Sequence, residues 1–185
     1  MSKERSLAEK WRQLSGESNW EGLLDPLDID LRSYIIHYGE MAQATYDCFN
    51  SQKWSKHAGN SMYGMKDFFG KVGLEKGNPF KYSVTKFIYA TSSIELPEGF
   101  LVRSMSREAW SKESNWMGYV AVATDEAKAA LGRRDIVIAW RGSIQAMEWA
   151  IDFQFTLFSA AELLGTPSTG EPMVHQGWLS LYTSS

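Results

Sequence analysis

One cysteine, Cys48, stands among the 185 residues, so no disulfide can form within the chain, and a reducing compartment suits it. Cys48 falls on the apolar side of a predicted helix, where inert packing is expected rather than a reactive thiol. Long hydrophobic runs are missing too: no window approaches the ~20 apolar residues needed to span a bilayer. The N-terminus is charged from its third residue and has no apolar h-region, so no secretory signal is expected. Excess positive charge is absent: the net charge is -3 and no Lys/Arg-rich block occurs, which leaves nucleic acid without a footprint. The pair Arg133-Arg134 reads as a solvated strand edge. There is no G-x-G-x-x-G, no G-x-x-x-x-G-K-[ST] and no Cys/His cluster at metal spacing. The three histidines, His37, His57 and His175, lie far apart. Dinucleotide, P-loop and zinc readings therefore have no support. The plain reading of these absences is a soluble, cytoplasmic protein.

What is present is apolar and aromatic. Hydrophobic residues make up 44% of the chain and aromatics 14%, with eight tryptophans and eight methionines. That is enough for one domain with a substantial core. Some of the aromatic surface could meet lipid, and a tryptophan-rich core explains the same composition.

Along the chain, "SLAEKWRQL" (Ser6 to Leu14) predicts an amphipathic helix, with Ser6 as N-cap and Glu9 completing a capping box. From Asp30 a longer helix follows, its stripe being Leu31, Tyr34, Ile35, Tyr38, Met41, Ala42, Thr45, Tyr46 and Phe49. His37 lies off that stripe and is expected at the surface. Residues 50–82 read as loop with short helical turns. "KFIYATSSI" (Lys86 to Ile94) has strand composition. Tyr119 to Ala123 and Ile136 to Trp140 are apolar strands, expected to be covered on two faces. Between them Thr124-Asp125 caps a short helix that Gly132 closes. The connection could serve a parallel crossover or an antiparallel pair.

The stretch "DIVIAWRGSIQAMEWAIDFQF" (Asp135 to Phe155) starts as a buried strand and ends as something else. The strand stops at Arg141-Gly142-Ser143. Acyl transfer needs preorganised donors where an oxyanion develops, and the corner just past a buried strand can offer free N–H groups. Gly142 lets a substrate approach the backbone, and Ser143 offers an N–H and a hydroxyl. The plain alternative is a turn that merely ends a strand. Beyond it, Ile144, Met147, Trp149, Ile151, Phe153 and Phe155 are large and apolar. A helix fits the first of them and a strand fits the last. Core packing explains such a segment, and so does a lid over an apolar site.

"RRDIVIAWRGS", "EWAIDFQF" and "VHQGWLSLYTS" together resemble the class 3 lipase family of α/β hydrolases. "LAEKWRQLSGESNWEGLLDPLDIDLRSYIIHYGEMAQATYDCFNS" and "VGLEKGNPFKYSVTKFIYATSS" resemble the N-terminal part of plant phospholipase A1 of class II. The resemblance covers essentially the whole chain. It implies an α/β fold: N-terminal helices and the first strands of an α/β-hydrolase sheet, incomplete because the chain ends before the nucleophile elbow. It divides one lipase domain into a helical and loop region, 1–85, and a region of strands, oxyanion turn and lid-like segment, 86–185. It implies hydrolysis of the sn-1 ester of glycerophospholipids, a phospholipid or membrane-surface substrate, and no metal or cofactor. Ser143 and Gly142 match the oxyanion turn, Ile144 to Phe158 the lid, and His175 a structural position.

The family's nucleophile sits in a G-x-S-x-G elbow, followed by Asp and then His. No serine of these 185 residues completes that pattern. Nucleophile, acid and base are thus absent from the sequence, and the chain by itself is expected to be inactive. The competing reading is a non-catalytic paralogue that binds lipid or a partner. In either case the last strand is expected to leave an apolar edge exposed.

Overall fold

The computed structural model describes residues 7–52, 54–91, 114–142, 157–167 and 169–183. They fall into two compact units. One lies within Met1–Cys48, Tyr63–Ile88 and Gly118–Arg141, the other within Phe49–Met62, Tyr89–Met117 and Gly142–Ser185. The architecture is mixed α/β, with helices, a three-stranded sheet in the order β1-β2-β3 and a two-stranded sheet β4-β5. The strands are β1 (Tyr82–Thr91), β2 (Ser114–Ala123), β3 (Ile136–Trp140), β4 (Leu157–Ser159) and β5 (Met173–His175). Among the described residues no helix is long and apolar enough to cross a membrane.

In the first unit, α1 (Leu7–Leu14) buries Leu14, while Lys10 Nζ reaches Asp30 Oδ2 at 2.6 Å and ties α1 to the next helix. The predicted cap Ser6 lies outside the described residues. Helix α2 (Ile29–Asp47) begins where Asp28 accepts hydrogen bonds from the backbone N–H groups of Asp30 and Leu31, relieving two orphan donors. Its buried residues are Leu31, His37, Met41, Ala44 and Thr45, whereas Ile35 and Tyr46, both in the expected stripe, are exposed. Cys48, just past the helix, is fully buried and donates weakly to the Thr45 carbonyl, in keeping with inert packing. A 3-10 turn at Met65–Asp67 leads into α3 (Phe68–Lys71). Phe68 is fully buried, its ring 4.7 Å from that of Tyr119 on β2.

Thr124 caps α4 (Asp125–Leu131) by accepting from the Ala127 N–H, and Gly132 closes it in the left-handed conformation at φ 74°. Both features match the sequence. Ala123, Ala127 and Leu131 form a core cluster against Phe80 and Tyr82. The connection is too short for a crossover, and β2 and β3 pair antiparallel, Gly118 opposite Trp140 and Val122 opposite Ile136.

The expectation that both strands are covered on two faces holds unevenly. On β2, Tyr119 and Ala121 are fully buried. On β3 the face carrying Ile136 and Ile138 is open, at 62% and 57% exposure. Only the face with Val137 and Ala139 is covered, where α2 packs. A solid apolar run cannot by itself tell a strand covered on two faces from one covered on one.

In the second unit, Phe49 bridges Ser61 and the Asn50 N–H donates to the Asn60 carbonyl, closing a loop in which Trp54 is 79% exposed. Here β4 and β5 pair antiparallel, Leu157 opposite His175 and Ser159 opposite Met173. They are accompanied by the short helix α5 (Ala161–Leu164) and by α6 (Gln176–Thr183).

Candidate functional site

Strand β3 carries chemistry at both ends. At its start Asp135 is 9% exposed, and two phenols from separate elements donate to the same oxygen. Tyr38 of α2 reaches Oδ2 at 2.6 Å and Tyr82 of β1 reaches it at 2.7 Å. Arg133 Nη2 lies 3.2 Å from the other oxygen, Oδ1, and donates to Tyr38 Oη at 3.0 Å and also to Tyr34 Oη. The guanidinium sits 4.9 Å from the centroid of the Trp11 ring, a cation–π distance. The ring nitrogen Nε2 of His37 lies 3.2 Å from Tyr82 Oη.

Burial sets the proton affinities here. It pushes the Tyr38 and Tyr82 phenols well above their ordinary range, and their hydrogen bonds to Asp135 push the same way. Both therefore stay protonated as donors. Burial also lowers His37 below its ordinary value, against the opposing pull of Asp135 and Glu40. A small pocket beside the network, lined by His37, Phe69, Phe80 and Tyr82 among others, holds about 20 Å³. That is room for roughly one water and no acyl chain.

Two expectations are corrected at this end. His37 is not a surface residue: it is 7% exposed, its ring set 5.2 Å from Phe80 and 5.5 Å from Tyr82. The buried arc of α2 is turned toward His37 and Ala44 and away from Ile35 and Tyr46. Arg133 is not a solvated edge either: its side chain is only 18% exposed and lies among Trp11, Tyr34, Tyr38 and Asp135, with Nη2 making all its hydrogen bonds and Nη1 buried without one. Arg134 alone fits that description. It is ion-paired with Asp125 and donates to the Ala123 carbonyl at 2.7 Å.

At the far end, Arg141 is 1% exposed and Gly142 is half-buried. A guanidinium does not deprotonate in proteins, so a buried positive charge lies one residue before Gly142. Ser143 and the lid-like residues Ile144, Met147, Trp149, Ile151, Phe153 and Phe155 lie outside the described residues. The last two residues assigned to the lid, Leu157 and Phe158, are the first two of β4 and are exposed. His175 is half-buried in the β4–β5 ladder. The network around Asp135 was missed from the sequence. Its one legible trace is the tyrosine pair Tyr34 and Tyr38 at i, i+4 on α2.

No family model matches the chain. Curated relatives do. It is 58% identical over 180 residues to phospholipase A1-IIbeta of Arabidopsis thaliana, covering 97% of this chain and 44% of that one. It is 59% identical over 181 residues to phospholipase A1-IIgamma of the same plant, covering 97% and 43%. To phospholipase A1-II 7 of Oryza sativa subsp. indica it is 54% identical over 184 residues, covering 97% and 45%. The chain thus resembles the N-terminal portion of plant phospholipases A1 of class II and spans less than half their length.

Proposed function

We propose, from that likeness as premise, that the chain is part of a phospholipase A1-type carboxylic-ester hydrolase of the class 3 lipase, α/β-hydrolase kind. Its substrate is a glycerophospholipid at a membrane surface, cleaved at the sn-1 ester in the cytoplasm. The carrying observation is identity of 51–59% over 97% of the chain with relatives that all bear the phospholipase A1 name. In this reading Gly142 admits the ester carbonyl close to the backbone, and the Ser143 N–H and hydroxyl meet the negative charge that gathers as the carbonyl is attacked. The buried cation of Arg141 has the sign that favours such charge. The segment from Ile144 to Phe158 acts as the lid. The nucleophile, the acid and the base lie outside these 185 residues, which contain no G-x-S-x-G.

The test starts from the coding sequence 3′ of the Ser185 codon. A following G-x-S-x-G, then Asp and His, is expected. A polypeptide extended through them should release the sn-1 fatty acid from phosphatidylcholine. Replacing Ser143 with Pro, which removes the N–H, should then lower kcat by ~10²–10³. An extended protein that releases only the sn-2 acid, or a Ser143→Pro variant of full activity, overturns the assignment. The eight tryptophans and eight methionines support a second reading, a chain that binds lipid without turnover. A stop codon at this point, with vesicle binding and no hydrolysis of a short-chain p-nitrophenyl ester, would establish it.

A further inference from the structure

Helix α2 is preceded by a turn that shows apolar side chains to solvent where a soluble surface normally shows polar ones. Leu24 and Leu27 form an isolated antiparallel bridge, so their side chains leave the same side of the turn. They are 59% and 48% exposed, and Trp20 and Ile29 flank them at 40% and 66%. The Asp28 N–H donates to the Leu23 carbonyl at 2.9 Å, which closes the chain around Leu24 to Leu27 and makes them the tip of the turn. The tip is held firmly. Trp20 Nε1 donates to the Leu14 carbonyl at 2.9 Å, and the indole lies over Gly16. Asn19 and Trp20 both adopt positive φ, 52° and 57°, an uncommon conformation for side-chain-bearing residues.

The charges around the tip choose its partner. Residues 13–31 hold five acids and no Lys or Arg. Asp28 is occupied as the cap of α2 and Asp30 by Lys10, while Arg12 pairs with Glu17. Glu21 and Asp25 have no ion pair among the described residues. An anionic lipid surface would repel them. A second copy docked about a twofold axis would set like charges together. Four side chains also fall short of the ~800 Å² per partner of a stable interface. A phosphatidylcholine surface suits both features. Its interfacial zone accepts indole and aliphatic groups, and its outer layer of choline cations meets carboxylates and an aromatic face.

We propose that the turn from Trp20 to Ile29 docks the protein onto zwitterionic phospholipid surfaces, with Trp20, Leu24, Leu27 and Ile29 entering the interface and Glu21 and Asp25 facing choline. The choice of a lipid partner rests on the phospholipase reading, but the site itself lies on a different segment from the corner at Gly142.

The test is co-sedimentation of the 185-residue chain with dioleoylphosphatidylcholine vesicles, which reads binding without turnover. Failure of the hydrolase reading therefore leaves the result interpretable. Leu24→Ser/Leu27→Ser is expected to lower the partition coefficient about tenfold or more, while Leu164→Ser, an exposed position on α5, leaves it unchanged. Adding phosphatidylglycerol at low salt should weaken binding. Brominated phosphatidylcholine should quench a fluorescence component that Trp20→Phe removes, which keeps a conservative variant in hand should the double variant lose its circular dichroism. The proposal is overturned by absence of binding, by binding unchanged in a folded double variant, by preference for anionic vesicles, or by quenching that survives Trp20→Phe.

Discussion

The phenol of Tyr38 closes on Asp135 Oδ2 at 2.6 Å across 97 residues of sequence. Tyr82 shares the same oxygen at 2.7 Å. One carboxylate therefore pins the middle of α2, the start of β1 and the entry to β3. A buried charge is tolerated only while donors and an opposite charge compensate it. Asp135→Asn removes the charge and turns one acceptor into a donor facing donors. Loss of about 3 kcal/mol is expected in urea unfolding. Tyr82→Phe, which leaves Tyr38 and Arg133 in place, should cost only about 1 kcal/mol. An Asp135→Asn variant as stable as the parent would remove the network from any account of this fold.

His37 gives the fold a pH dependence with a definite sign. Burial lowers its proton affinity in the folded state below the ordinary value of 6.5. Asp135 and Glu40 pull the other way, and Glu75 and Lys81 line the pocket it faces. The unfolded chain thus binds a proton near pH 6.5 that the folded chain resists. Stability from His37 is present above that pH and is lost as the pH falls through and below it. His37→Gln should flatten the fall in urea midpoint between pH 7 and the folded-state value. The comparison with the parent isolates His37 from carboxylates that titrate at lower pH.

Gly118 and Gly39 make opposite predictions for the same substitution. Gly118 sits opposite Trp140 at φ 155°, and a Cβ there would collide with the Ala139 carbonyl. Gly118→Ala is expected to cost about 3 kcal/mol and to disturb the β2–β3 register that aims the chain at Gly142. Gly39 lies inside α2 with nothing within 4 Å of its added carbon. Gly39→Ala should stabilise by about 0.5–1 kcal/mol through helix propensity. Urea midpoints of the two variants moving in the same direction would contradict this account.

How much of this was legible follows from the range of each interaction. The bounds of β3, the Thr124 cap and the Gly132 stop depend on neighbours within a few residues, and the sequence showed them. The existence of α2 was legible from its period. Its buried side was not, because Ile35 and Ile36 make the wrong side look as apolar as the right one. His37 is buried by Phe80 and Tyr82, residues more than forty positions away, and a lone polar residue gives no hint of such partners. The pairing of Arg133 with Tyr34 spans 99 positions. The proposed oxyanion corner and lid rest on likeness to a family, since spacing alone gives only a strand followed by a glycine-serine turn.

The open face of β3 makes the last prediction. Among the described residues β3 ends the sheet, paired on one side with β2. Ile136 and Ile138 stand outward, more than half exposed, and Trp140 beside them is 36% exposed. A strand with both a free edge and an apolar outer face is a template for pairing with another chain. Ile138→Lys puts a charge on that face without opening a cavity, so stability should change by no more than about 0.5 kcal/mol. Self-association should fall at the same time. Light scattering of the 185-residue chain at increasing concentration reads the association, and urea unfolding reads the stability. A large destabilisation with unchanged association would mean that this face is already covered in solution, and that the open edge is not what makes the chain prone to associate.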